Sequence, residues 1–128
     1  MKSSALAICS FLAASLTAAE PNLTVTRDIP YATPAHERNT LDLHAPAGAK
    51  NLPVVFWIHG GGFVVGSKDA PVSDGTHFAR SGVICVAINY RMGIDGFLPV
   101  PGAPTNLGLR DILFALAWVQ RNISAFGG

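Results

Sequence analysis

The sequence predicts an α/β sandwich, a sheet covered by helices, and three observations carry that prediction. Residues 53–58 (Pro-Val-Val-Phe-Trp-Ile) and 83–88 (Val-Ile-Cys-Val-Ala-Ile) are continuously apolar and rich in β-branched and aromatic side chains. That is the pattern of strands buried on both faces, which belong to parallel sheets covered by helices. A helix candidate lies between the two runs and a clearer one follows them, so strand and helix alternate along the chain. Of the 128 residues, 49% are hydrophobic and 13% charged, which supplies a packed core and argues against disorder.

The elements follow in order. Lys2 gives a positive start, residues 5–16 are apolar apart from Ser10 and Ser15, and Thr17-Ala18-Ala19 offers small side chains for cleavage. Residues 1–19 therefore read as a secretory signal peptide, with a secreted or periplasmic product. The apolar stretch is too short for a comfortable span and runs into Glu20-Pro21, so no stable membrane span is expected after cleavage. An uncleaved anchor is the competing reading; a lipoprotein is disfavoured because the branched Ile8 precedes Cys9.

Residues 20–128 then form the N-terminal portion of one domain. Leu23-Thr24-Val25-Thr26 alternates like a half-exposed strand, and Leu41, Leu43 and Ala45 alternate with Asp42 and His44 in a second, with one wet face. Pro46-Ala47-Gly48 marks a turn. After the first buried strand, residues 75–81 form a short helix stopped by Gly82. Residues 92–104, with Gly and Pro throughout, read as a long surface loop. In the last helix, Leu109, Ile112, Leu113, Leu116 and Ala117 make the core stripe, extended by Ile123, with Arg110, Asp111, Gln120 and Arg121 mostly off it. Thr105 or Asn106 caps its start and Gly127-Gly128 stops it.

The formal net charge is +1 and no basic run appears, so the electrostatic footprint of a nucleic-acid binder is missing. Cys9 leaves with the signal, and Cys85 alone makes no internal disulfide; it reads as a small buried hydrophobe. Nothing has metal-ligand spacing, and no cofactor is expected.

The chemistry concentrates in His59-Gly60-Gly61-Gly62-Phe63, directly after the strand ending at Ile58. Three glycines after a core strand weaken regular structure, so a requirement must hold them there. Without Cβ atoms, successive backbone N–H groups can turn toward an incoming ligand atom. Two such donors in a water-poor cleft suit the oxyanion of a tetrahedral acyl-transfer intermediate. This is the HGGG type of loop that accompanies a Gly-x-Ser-x-Gly nucleophile elbow. The competing phosphate-loop reading of Gly61-x4-Gly66-Ser67-Lys68 fails because Ser and Lys are transposed and Asp69-Ala70-Pro71 does not open a helix. A glycine-rich turn without function is the remaining alternative.

Further blocks lie downstream: residues 89–98 (Asn-Tyr-Arg-Met-Gly-Ile-Asp-Gly-Phe-Leu), 106–111 (Asn-Leu-Gly-Leu-Arg-Asp), 117–123 (Ala-Trp-Val-Gln-Arg-Asn-Ile) and Phe126-Gly127-Gly128. With the HGGGF loop, and in this order and spacing over residues 53–128, they resemble the type-B carboxylesterase family. The resemblance implies an α/β-hydrolase fold, here the N-terminal part of a mostly parallel sheet flanked by helices. It also implies hydrolysis of small-molecule carboxylic esters through a serine acyl-enzyme. Residues 39–44 (Asn-Thr-Leu-Asp-Leu-His) look more like the smaller esterase and arylformamidase branches of that superfamily, which keeps an amide-hydrolase alternative open. A catalytically dead binding or adhesion module of the same fold is the other.

Carried over by position, the resemblance implies that the backbone N–H groups of Gly61 and Gly62 are the oxyanion donors, that Gly60 permits their approach, and that His59 supports the loop instead of acting as base. His36, His44 and His77 have no motif around them and are expected at the surface. Arg91 and Asp111 are expected in a structural ion pair or loop clamp. No serine lies in Gly-x-Ser-x-Gly: Ser73 has Gly75 after it but Pro71 before it, and Ser67, Ser81 and Ser124 lack both glycines. The expectation is a piece of a longer product, inactive and poorly soluble alone, with the serine, acid and histidine elsewhere. Asn22-Leu23-Thr24 and Asn122-Ile123-Ser124 match the glycosylation sequon; the second is discounted because it falls at a helix end.

Overall fold

Period-two alternation near the start and the two apolar runs become four strands of one sheet in the computed structural model, which describes residues 22–128. The proposed signal segment lies outside the described residues. Strand β1 (Leu23–Pro30) pairs antiparallel with β2 (Thr40–Pro46), β2 pairs antiparallel with β4 (Ile84–Ile88), and β3 (Val54–Ile58) pairs parallel with β4. The order across the sheet is β1-β2-β4-β3. The parallel pair is the one with the two apolar runs, as a covered crossover requires.

Helix α3 (Leu107–Asn122) covers one face. Leu41, Leu43 and Ala45 of β2 and Ile84, Val86 and Ile88 of β4 form the core there with Tyr31, Tyr90 and Ala115, and Ile112, Trp118 and Val119 pack around them. The short helix α1 (Thr76–Arg80) covers the opposite face, with Ala79 buried. Its leading residue Gly75 sits so close that a Cβ there would lie 2.7 Å from the Cβ of Cys85 and 2.9 Å from Cγ of His44.

Four expectations are corrected. The second strand has no wet face: Asp42 and His44 are both buried, because Lys68 and Arg27 neutralise the carboxylate and Gly75 closes over the imidazole. The strand expected to be buried on both faces, β3, is only half-buried and Ile58 is exposed, since it stands at the edge of the described sheet. The expected loop at residues 92–104 contains one helical turn, α2 (Gly93–Phe97). Finally, the core stripe of α3 is rotated. Leu109, Leu113 and Leu116 are exposed, whereas Gly108, Asp111 and Ala115 are buried. Asn106 does precede that helix, but in the left-handed conformation (φ 54°) and with no side-chain capping bond.

Candidate active site

Strand β3 delivers its chain directly into the glycine loop. His59 is buried at its root, its ring stacked on Tyr90 with centroids 4.8 Å apart at 15°. Nδ1 lies 3.0 Å from the Gly60 carbonyl, so that nitrogen carries the proton toward an acceptor, and Nε2 is buried without a partner among the described residues. An imidazole held this way has no open nitrogen to present to a substrate.

The loop then turns outward. Gly61 and Gly62 have φ of +124° and +61°, and Phe63 follows at +65°. The Gly61 carbonyl accepts from the amides of Val64 (3.1 Å) and Val65 (3.2 Å), which closes the turn. Gly61 is required by space as well as by φ: a Cβ there would overlap the Val65 carbonyl. Gly60, Gly61 and Gly62 are exposed, and among the described residues the amides of Gly61 and Gly62 donate to no acceptor. Two adjacent unbonded donors on a positive-φ turn are an arrangement of the kind that can accept an anion.

The loop's return leg is fixed by residues that pattern reading passed over. Gly66 (φ +134°) nests against the His59 ring and the Gly60 carbonyl, where a Cβ would overlap both. Its own carbonyl accepts from Arg38 Nη2 at 2.8 Å. The amide of the next-but-one residue, Lys68, donates to Asn89 Oδ1 at 2.8 Å. Gly66 stood in plain view as part of the rejected phosphate-loop match; nothing in the local sequence marks Arg38.

Lys68 itself settles that match by geometry. Its Nζ is buried among Asp28, Asp42 and Asp69 at 2.8, 2.8 and 2.9 Å. Burial alone lowers the ammonium's pKa, but the three carboxylates more than reverse this and the net shift is upward. The same contact, then the Ser67 hydroxyl, lowers the pKa of Asp69. Lys68 thus ties the segment after the glycine loop to β2 and to the bulge of β1, where the Asp28 amide also donates to Asp42, and it has no donor to spare for a phosphate.

Arg91 and Asp111, expected in clamps, are each other's partner: Nε to Oδ2 at 2.8 Å, Nη2 to Oδ1 at 2.6 Å, and the Arg91 amide to Oδ2 at 3.0 Å. Of the histidines expected at the surface, His77 is exposed and His36 half-buried, but His44 is buried, 3.7 Å from Asp74. Its burial lowers its pKa, with Asp74 opposing. Cys85 is buried, which pushes its thiol up to about 11. Ser73, the serine with one flanking glycine, is buried and donates to the Ser67 carbonyl. Asn122 donates through Nδ2 to the Trp118 carbonyl at 2.7 Å, whereas Asn22 is exposed.

A family model for the carboxylesterase family matches residues 31–128. The chain belongs to that family. A mouse (Mus musculus) cholinesterase is 55% identical over 83 residues, which cover 62% of this chain and 14% of that protein. Among solved structures, a PNB esterase superposes with a TM-score of 0.75 at 33% identity, covering 83% of this chain and 32% of that one. A carboxylesterase of Geobacillus stearothermophilus gives 0.73 at 34% identity with the same coverages. The fold is accordingly that of the α/β-hydrolases, seen as a partial sheet with its helices, and this carboxylesterase-family chain spans about a third or less of the length of each relative. Among the described residues no helix is long and apolar enough to cross a membrane.

Proposed function

We propose that this chain supplies the oxyanion-binding loop of a serine carboxylic ester hydrolase, with the amides of Gly61 and Gly62 as donors, Gly60 permitting their approach and His59 holding the loop's root. The observation that carries the reading is the pair of open amides presented by a tight turn straight after a sheet strand. Family membership and likeness to esterases support the same chemistry.

In that reaction a serine Oγ attacks the ester carbonyl carbon while a histidine takes its proton. The carbonyl oxygen becomes an oxyanion in the space before Gly61 and Gly62. Collapse expels the alcohol, which takes the proton back from the histidine, and water then releases the acid by the same route. Donors already aimed at the developing charge need no reorganisation, and loss of one costs about 10²–10³ in rate. Small-molecule esters are the substrate class. The serine, its histidine and its acid would come from polypeptide beyond the part of the family that these residues span, and the 128 residues alone would be inactive. Export through residues 1–19 belongs to the same reading.

The test is to read the coding sequence past the Gly128 codon and assay its product on p-nitrophenyl esters. A Gly-x-Ser-x-Gly and turnover that Gly61→Ala removes carry the proposal. Turnover indifferent to Gly61→Ala overturns it, as does a serine replaced in the elbow, which favours a binding module.

A further inference from the structure

We propose that Phe63 is a positioning residue: it clamps the crest of the glycine loop to α2 and so sets where the Gly61 and Gly62 amides point. The inference rests on the reading of those amides as oxyanion donors.

Phe63 is a side-chain-bearing residue held at φ +65°, a strained conformation that persists only where the surroundings impose it. Two contacts impose it here. The Phe63 carbonyl accepts from the Gly93 amide at 2.7 Å. Its ring meets that of Phe97, with centroids 4.9 Å apart and planes at 51°, within the tilted geometry that aromatic pairs favour. One contact falls at each end of α2, so the helical turn grips Phe63 through backbone and side chain together.

The turn is itself immobilised. Gly108 of α3 packs closely against Phe97, where a Cβ would come within 2.6 and 2.7 Å of Cζ and Cε2. Gly96 fits against the Arg91 carbonyl with no room for a Cβ. Arg91 is bound to Asp111 of α3. A continuous path therefore runs from the core face of α3 through Arg91 and α2 to Phe63, which is bonded covalently to Gly62. Phe63 is 51% exposed, so core burial does not account for an aromatic ring at this strained position; the clamp does.

A merely substrate-contacting Phe63 would affect KM; a positioning Phe63 affects kcat, because donor placement counts in the transition state. In the esterase assay of the longer product, Phe97→Leu removes the ring partner away from the loop, and Phe63→Gly removes the ring while permitting the φ. Both are expected to lower kcat roughly tenfold or more with KM within about twofold, since small misplacements of reacting groups cost up to about a hundredfold. Phe63→Tyr, which keeps the ring, recovers most of the loss. Unchanged kcat in Phe97→Leu, or a raised KM with unchanged kcat in Phe63→Gly, overturns the proposal.

Hydrogen exchange at Gly93 in the longer product reads the clamp without any turnover. Protection that falls about tenfold in Phe97→Leu supports it, and unaltered protection overturns it. If the longer product hydrolyses no ester, the oxyanion reading is what has failed, and the Gly93 exchange still decides the clamp.

Discussion

Arg91 meets Asp111 with its guanidinium fork and its own backbone amide, three bonds of 2.6–3.0 Å from one residue to one carboxylate. Asp111 is fully buried, whereas the Arg91 side chain keeps about a fifth of its surface exposed. The pair joins the strand-end segment after β4 to the core face of α3, and the Asp111 hydrogen bond raises the pKa of Arg91. Removing one partner of a buried pair leaves the other unpaired, typically at about 3–5 kcal/mol. Because Arg91 reaches solvent, Asp111→Ala is expected at the low end, about 3 kcal/mol, read from the urea midpoint. A loss under about 1 kcal/mol would show the clamp to be ornamental.

Gly61 and Gly62 separate two requirements that sequence presents as one run. Gly61→Ala meets the Val65 carbonyl and must move the turn, whereas a Cβ at Gly62 (φ +61°) meets nothing within 4 Å. Gly62→Ala should therefore cost about 1–2 kcal/mol of left-handed strain and leave the loop in place. Gly61→Ala should displace both amides. Crystal structures of the two variants check this; an undisturbed loop in Gly61→Ala would refute it.

His44 predicts an acid sensitivity. Burial lowers its pKa below the ordinary 6.5, so the unfolded chain takes up a proton that the folded chain resists. Its contribution is complete above about pH 6.5 and is lost as the pH falls below that, until the folded-state pKa is reached. The slope is at most about 1.4 kcal/mol per pH unit. Denaturation curves from pH 7.5 to 5 should show this slope, and His44→Asn should flatten it; equal slopes in both proteins would dismiss His44 as the source.

Cys85 should resist alkylation in the folded state. With its thiol buried and pushed up to about 11, little thiolate exists at pH 8. Iodoacetamide should label it only on unfolding, and labelling as fast as that of a free thiol in native buffer would contradict the packing.

Helix α3 offers the clearest contrast between pattern and placement. Leu113→Gln, on an exposed position, should change stability by about 0.5 kcal/mol or less. Ala115→Leu, at a fully buried site, should cost about 1–3 kcal/mol by overpacking. Thermal melts of the two variants decide it, and the reverse order would restore the stripe as read from the sequence.

All four strand segments, helices α1 and α3 and the glycine loop were legible in the chain because each is local: apolar runs, helical spacing and turn residues act within a few positions. Even the pairing of Arg91 with Asp111 was half visible, as two charges beside apolar segments. What the sequence by itself determined about this protein is its elements, their α/β order, and the position of a glycine-rich bend directly after a strand. Tertiary structure alone decided which side of α3 meets the sheet, because helical periodicity gives an apolar arc and only the packed partner selects its phase. It also decided that Asp42, His44 and Lys68 go inside. Burial of a polar group depends on charges and backbone brought from distant positions, as Asp28 and Gly75 are here, and no local pattern records that meeting.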